Sequence, residues 1–219
     1  MKLNIFFIAA LSIAMVACQQ NAPKGEKVDA KDATAITEQK AAETYAVDLA
    51  SSSVAWEGSK PVGDTHKGTV ALKSGELKVD GDNITGGNFV IDMASIKGSD
   101  PMPEKVLAKL EGHLKSPDFF SAADFPEAKF EIANVEAVSG DSTATHKITG
   151  NLTMKGETKS IEIPCKVMME EGSISATTPA FTINRTDWGV NFGSGVIGTV
   201  QDKLISDAIG LQINLVAKK

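Results

Sequence analysis

The sequence predicts an all-β protein: about eight antiparallel strands, closed as a barrel or stacked as a sandwich, with one short helix among them. Three observations predict it. Apolar and polar residues alternate with a period of two through most of the chain after Thr44. Turns rich in glycine and aspartate separate those runs. One segment alone changes to a helical period.

The first run sets Val54 and Trp56 on one face and Ala55 and Glu57 on the other. Val70 and Leu72 share parity, as do Leu77 and Val79. A reversal at Asp80–Asn83 and the Gly86–Gly87 pair precede Phe89, Ile91 and Met93. Phe130 and Ile132 open a further run. Ile148, Leu152 and Met154 share parity with Gly150, and Lys155-Gly156 marks a tight hairpin. Ile161, Ile163, Cys165, Val167 and Met169 form a longer series, followed by Phe181 and Ile183. In the last run Ile209, Leu211, Ile213 and Leu215 alternate with Gly210, Gln212 and Asn214. Each run has one apolar face, the mark of a half-buried antiparallel strand. The helical exception follows Pro103. Val106, Leu107, Leu110 and Leu114 fall on one stripe, and Ser116-Pro117 stops it. A lone helix with a greasy loop (Phe119, Phe120, Phe125) in such a chain suits the open end of a barrel.

Composition is that of an ordinary soluble domain, 42% apolar and 23% charged, which fits neither a disordered chain nor a disulfide-dense miniprotein. Lys and Arg total 22 against 28 Asp and Glu, a net charge of −6. With no basic excess to neutralise phosphates and only 5% aromatic residues for stacking, nucleic acid is not an expected partner.

Residues 1–18 have a positive start, an apolar run from Ile5 to Val16 and the ending Met15-Val16-Ala17-Cys18. This is the layout of a secretory signal, and the run is shorter than the roughly 20 residues of a membrane-spanning helix. The ending resembles a bacterial lipobox, with Met in place of the usual Leu, and so implies lipid attachment at Cys18. Acyl chains gain about 0.8 kcal/mol per buried methylene, which makes such attachment durable. Gln19 after the cysteine favours the outer membrane by the common sorting rule. Residues 19–43 carry almost no large apolar side chain and read as a flexible tether; the domain then runs from 44 to 219. Cys165 is left as a single thiol, read as a small buried hydrophobe.

Several motifs fail on context. Gly193-Ser-Gly195-Val-Ile-Gly198 fits the dinucleotide pattern but sits in no βαβ unit. Asp80-Gly-Asp82-Asn83 begins like a calcium loop, but Ile84 stands at the next ligand position. His66, His113 and His146 lack metal-ligand spacing, and no Gly-x-Ser-x-Gly elbow is present. No metal, cofactor or catalytic residue is therefore expected.

An ordered series of short patterns is more specific. Tyr45-x-Val47-Asp48 and Ser53-Val54-x-Trp56 are followed by His66-Lys67-Gly68 and Gly87-x-Phe89-x-Ile91-Asp92-Met93-x-Ser95-Ile96. Then come Phe119-Phe120, Phe125-Pro126, Phe130, Gly150-x-Leu152-Thr153-x-x-Gly156-x-Thr158-Lys159 and Asn184-Arg185-Thr186-Asp187-Trp188-Gly189. Over nearly all of 44–219 this resembles the YceI-like family of bacterial periplasmic proteins, with Trp188 where the family more often has Phe. The resemblance implies an eight-stranded antiparallel lipocalin-like barrel with the helix over one end. It also implies a long polyisoprenoid or other lipid as the bound partner.

In such a barrel the inward-facing set is Val54, Trp56, Val70, Leu72, Phe89, Ile91, Met93, Phe130, Ile132, Leu152, Met154, Ile163, Val167, Phe181, Ile183, Leu211 and Ile213. Leu107, Leu110, Leu114 and Phe119 would cover it. His66 and Arg185 share parity with inward residues and, with Asp187, are the candidates for a polar ligand head. A buried guanidinium needs an acceptor, so Arg185 should meet a carboxylate, carbonyls or that head, or lock its loop with Asp187. The leading expectation is a lipid-anchored envelope protein, not an enzyme, that carries or sequesters an isoprenoid, an isoprenoid quinone or another lipid. The alternatives are a structural or stress protein with a filled core, and an enzyme that uses His66 and Asp187 as acid and base. The exposed rim of a barrel also offers a surface for a homodimer.

Overall fold

The structure is a computed structural model that describes residues 22–37, 43–140, 142–195, 198 and 204–219. The signal segment 1–18 with Cys18, and residues 19–21 and 38–42 of the expected tether, lie outside the described residues.

The strands are β1 (Glu26–Lys27), β2 (Glu43–Val47), β3 (Ser53–Ser59), β4 (Thr65–Asp80), β5 (Asn83–Gly98), β6 (Glu127–Ala137), β7 (His146–Met154), β8 (Glu157–Glu170), β9 (Ser173–Thr177), β10 (Phe181–Asn184) and β11 (Ala208–Lys218). A helix α1 spans Glu104–Lys115, and a 3-10 turn spans Arg185–Trp188. Antiparallel pairing runs from β3 through β4, β5, β6, β7, β8 and β9 to β11, which pairs back with β3. Eight hydrogen-bonded strands thus close a ring, and the sandwich alternative falls. β2 continues the edge of β3 along β4 and β11, and β10 continues β9 along β11.

Alternation supplies the core. On β8, Ile161, Ile163, Cys165 and Val167 are buried, while Glu162 and Lys166 between them are exposed. On the longer strands the parity switches, and the switches fall at bulges. Leu72 pairs with Ile91 but Ser74 with Val90, so Lys73 is an extra residue, and burial passes from Val70 and Leu72 to Leu77 and Val79. Thr85 on β5 and Ala133 on β6 are extra in the same way. A bulge bends its strand and re-aims the side chains beyond it, which lets 16-residue strands wrap a narrow ring. Gly150 is an inward position that must lack a side chain: a Cβ there would stand 2.3 Å from the Phe130 ring.

α1 begins after Pro103 and ends at Ser116, as the sequence predicts. Its stripe is only partly inward, because Val106 is exposed. At the β7–β8 turn Lys155 and Gly156 both adopt positive φ, 50° and 82°, in a two-residue hairpin.

The expected free tether is corrected over residues 22–37, which are docked on the barrel. β1 pairs in parallel with β10, Val28 N donates to the Thr182 carbonyl at 2.8 Å, and Lys31 bridges to Ser160 of β8. β8 pairs with β9 only from Lys166 onward, so this segment straps the seam between the first half of β8 and β10. Val28 is buried in the core, and Ala30 packs against it. Gly25 permits the approach: its φ is +128°, and a Cβ there would stand 2.5 Å from the Ala180 carbonyl oxygen. Such docking through two small apolar residues and backbone hydrogen bonds leaves no period in the sequence.

Candidate ligand cavity inside the strand ring

Alternation directs one face of every ring strand inward, and the inward side chains do not fill the space. They line a cavity of about 830 Å³. β3 contributes Val54 and Trp56; β4, Val70 and Leu72; β5, Phe89, Ile91 and Met93; β6, Phe130 and Ile132. β7 contributes Leu152 and Met154; β8, Ile163; β10, Phe181 and Ile183; β11, Leu211 and Ile213. Leu77, Ile84 and Leu215 mark the deep end of the lining. Around them Val79, Ile174 and Ala217 are buried without lining the cavity, so that end is closed.

The other end is the mouth. Leu110 and Leu114 of α1, Phe119 and Phe120 after it, and Phe192, Ile205 and Ser206 of the long connection to β11 surround it, with Lys60 and Asp64 from the β3–β4 turn and His66 at the start of β4. His66 Nδ1 lies 2.9 Å from Asp100 Oδ2. An ionised carboxylate only accepts, so Nδ1 is the donor in this contact. His113 packs edge-on against Phe119 and Phe192, with ring centroids 5.0 and 4.9 Å away, and its Nε2 is 3.4 Å from Asp118. Ser59 also lines the mouth, is 3% exposed, and its hydroxyl has no partner among the described residues.

Arg185 is 1% exposed. Its Nε donates to the Ser206 carbonyl at 3.0 Å, one terminal nitrogen to Val190 at 2.5 Å, and the other to Ile205 at 3.1 Å and to Asp207 Oδ1 at 3.3 Å. Burial pushes the guanidinium pKa down, and Asp207 opposes that shift. Its carbon lies 5.9 Å above the Phe119 ring. Beside it Trp188 is fully buried and donates from Nε1 to the Leu152 carbonyl at 2.9 Å.

A family model for the YceI-like domain matches residues 45–217. The chain belongs to the YceI-like family. It is 32% identical over 92 residues to a UPF0312 protein of Staphylococcus aureus, covering 39% of this chain and 49% of that one. A UPF0312 protein of Pseudomonas aeruginosa is 32% identical over 104 residues, covering 45% and 52%. The chain spans about half the length of these curated relatives. Among solved structures it is similar to Burkholderia cenocepacia BcnA, at 24% identity and a TM-score of 0.61, over 78% of this chain and 99% of that one. It is also similar to a polyisoprenoid binding domain from Saccharophagus degradans, at 15% identity and a TM-score of 0.59, over 80% and 97%. These structures share its fold.

Within this YceI-like barrel three expected site residues stand off the cavity. Val167 is buried in the core and does not line the cavity, although its ladder partner Ala176 does. Leu107 does not reach the cavity, because its side chain packs on Gly98 and joins α1 to β5. Asp187 sits on the 3-10 turn, whose inward positions are taken by Arg185 and Trp188. The partner of Arg185 is Asp207, and the partner of His66 is Asp100; the acid–base pair of His66 with Asp187 is not assembled. Asp187 acts instead on Lys27 of the strap, whose pKa is raised chiefly by Asp29 and also by Asp187.

Other residues line the cavity beyond the set that parity predicts. Ile148, Ile161, Cys165 and Ile209 share parity with predicted neighbours, so the sequence carries their signal. Ser59, Phe192, Ile205 and Ser206 lie at strand ends or in the long connection, where no period exists. Burial raises the Cys165 thiol pKa to about 12, partly opposed by a backbone hydrogen bond from Thr177. Among the described residues no three His, Cys, Asp or Glu side chains gather as a metal site.

Proposed function

We propose that this protein binds a long, slender apolar molecule, a polyisoprenoid, an isoprenoid quinone or another lipid, inside its strand ring, and that it carries or sequesters that molecule in a bacterial cell envelope. One observation carries the reading: an apolar cavity of about 830 Å³, closed at one end and open at the other. Its lining offers apolar area along its whole depth and, Thr178 beside Ile213 apart, keeps its polar side chains at the mouth, which suits a tail with a small head. A prenyl chain that buries on the order of 800 Å² gains roughly 20 kcal/mol gross. Loss of rigid-body freedom on association, roughly 4–15 kcal/mol, still leaves net binding. Met93 and Met154, unbranched and soft, adapt the wall to ligands of differing shape. The polyisoprenoid binding named for the Saccharophagus degradans domain supports the choice of ligand class.

The lipobox resemblance at Cys18 supports a lipid anchor, with the outer membrane as the favoured site. Native mass spectrometry of protein purified without harsh detergent tests the carrier reading. A co-purified lipid mass that disappears after organic extraction is the expected result. A barrel that stays empty and also refuses added prenyl alcohols overturns it in favour of a purely structural role. Retention of Cys18→Ser in the membrane fraction overturns the anchor.

A further inference from the structure

The docked strap limits where an anchored barrel can sit. Pro23 rests on the outer face of the ring, with its Cβ 3.0 Å from the point a Cβ of Gly210 would occupy. Gly210 pairs with Glu57, and Ile209 with Gly58, so Pro23 lies beside the mouth end of β3 and β11. Five Cα steps separate Pro23 from Cys18, a reach of about 18 Å when fully extended. From Gly210 to Lys218 at the closed end, β11 covers about 26 Å of strand, or about 20 Å along the axis at ordinary barrel tilt. An anchor at Cys18 therefore reaches past the mouth with ease and does not reach past the closed end.

The surfaces of the two ends agree with this. Of the five exposed large apolar side chains among the described residues, three stand at the mouth: Val62 in the β3–β4 turn, 78% exposed, Phe192 at the rim, 40% exposed, and Val106 on α1; the other two are Leu49, toward the closed end beside Val216, and Met168 on β8. The closed end carries Asp82, Glu170 and Glu171, with Lys219 beside them, around one shallow depression. Exposed apolar side chains are favoured in a bilayer interface, and they are what sets the mouth apart, since carboxylates stand at both ends, Asp64 and Asp118 among them at the mouth.

We propose that the mouth of the barrel rests on the membrane surface, with Val62, Phe192 and Val106 seated in the lipid interface, so that the apolar ligand passes between bilayer and cavity without crossing water. This rests on the carrier and anchor readings above. The partner is a lipid bilayer, and the contact is the rim itself.

The test uses the mature acylated chain reconstituted in vesicles of phosphatidylethanolamine and phosphatidylglycerol. Val62→Cys, Phe192→Cys and Asp82→Cys are each labelled with an environment-sensitive fluorophore; buried Cys165, with its thiol pKa near 12, stays unlabelled. Nitroxide-bearing lipids are expected to quench the labels at 62 and 192 several-fold and to leave the label at 82 unchanged. Equal exposure of all three labels to aqueous iodide, on protein that floats with the vesicles, overturns the proposal. Failure to float overturns the anchor reading and this proposal with it. Val62→Asp, an exposed substitution that should leave the unfolding midpoint in place, gives a second readout. It should slow transfer of a fluorescent prenyl alcohol from vesicle to barrel about tenfold, while uptake of the same alcohol from detergent is unchanged. Equal loss in both assays would show a damaged cavity rather than a lost docking rim, and would also overturn the proposal.

Discussion

Arg185 and Asp207 meet at 3.3 Å on the inner side of the mouth, but the carboxylate is only one of four acceptors around the guanidinium. The other three are main-chain carbonyls from both sides of the long connection before β11. The arginine therefore organises the rim, and its donors are largely consumed before any ligand arrives.

Arg185→Ala should accordingly cost stability, about 3–5 kcal/mol, because it strands buried carbonyls and Asp207. Arg185→Lys should recover little, since an ammonium cannot present a planar fork to several carbonyls. Urea titrations measure the loss. Prenyl alcohol affinity, compared at equal folded fraction, should change less than threefold. A tenfold loss of affinity in the folded variant would return Arg185 to the ligand head.

The strap makes a second test. Asn151 of β7 holds it with both ends of one amide: Oδ1 accepts from Thr34 N at 2.9 Å, and Nδ2 donates to the Thr34 carbonyl at 2.8 Å. Both bonds are exposed, so water replaces them in part. Asn151→Ala should cost only about 1 kcal/mol overall. Its local effect should be larger: amide hydrogen exchange at Val28 and Lys31, both donors in the seam, should speed up relative to the β7–β8 ladder. Unchanged protection at those amides would mean that β10 and Ser160 hold the strap unaided.

The strap also shows where sequence reading stops. Parity along β8 and β11 was legible because no bulge interrupts those runs: Ile161 to Val167 and Ile209 to Leu215 keep one face throughout. Parity on β4, β5 and β6 was legible only in pieces, since Lys73, Thr85 and Ala133 each add one residue and reverse the faces. Closure of the ring was not readable from alternation, which serves a sandwich equally well. Leu107 belonged to a true helical stripe, but Gly98 opened a niche for it away from the cavity. Among the described residues the strap carries Val28 and Ala30 as its apolar contacts with the core, too few to separate it from a solvated spacer.

Cys165 gives stability a dependence on alkaline pH. Its thiol is raised from 9.0 to about 12 by burial. Between those values the folded chain keeps the proton and the unfolded chain releases it. The unfolded state then binds fewer protons, and stability falls as pH rises. The contribution is complete below pH 9 and is lost progressively toward pH 12. Wild-type protein should therefore lose more of its unfolding midpoint than Cys165→Ala between about pH 9 and pH 11. Raised lysines such as Lys73 and Lys147 titrate in both proteins and cancel in the difference. Parallel pH profiles would show that the thiol is not desolvated by the cavity wall.

Filling the cavity separates packing from binding. Ile213 lines the lumen from β11, with Val54 of β3 as its ladder partner and Thr178 bonded to its backbone. Enlarging a residue in a close-packed core costs about 1–3 kcal/mol through strain. Here the larger ring has open space to enter, within a cavity of about 830 Å³. Ile213→Trp should therefore stay within about 1 kcal/mol of wild type in urea titrations, the lower edge of that strain range. The same indole occupies the path a tail would take, and prenyl alcohol affinity should fall at least tenfold, about 1.4 kcal/mol. The effect should grow with chain length, because a short alcohol can remain above the obstruction near Phe119 while a long one cannot. Equal weakening for every chain length would place the ligand only at the rim, and the deep aliphatic lining would then be core alone.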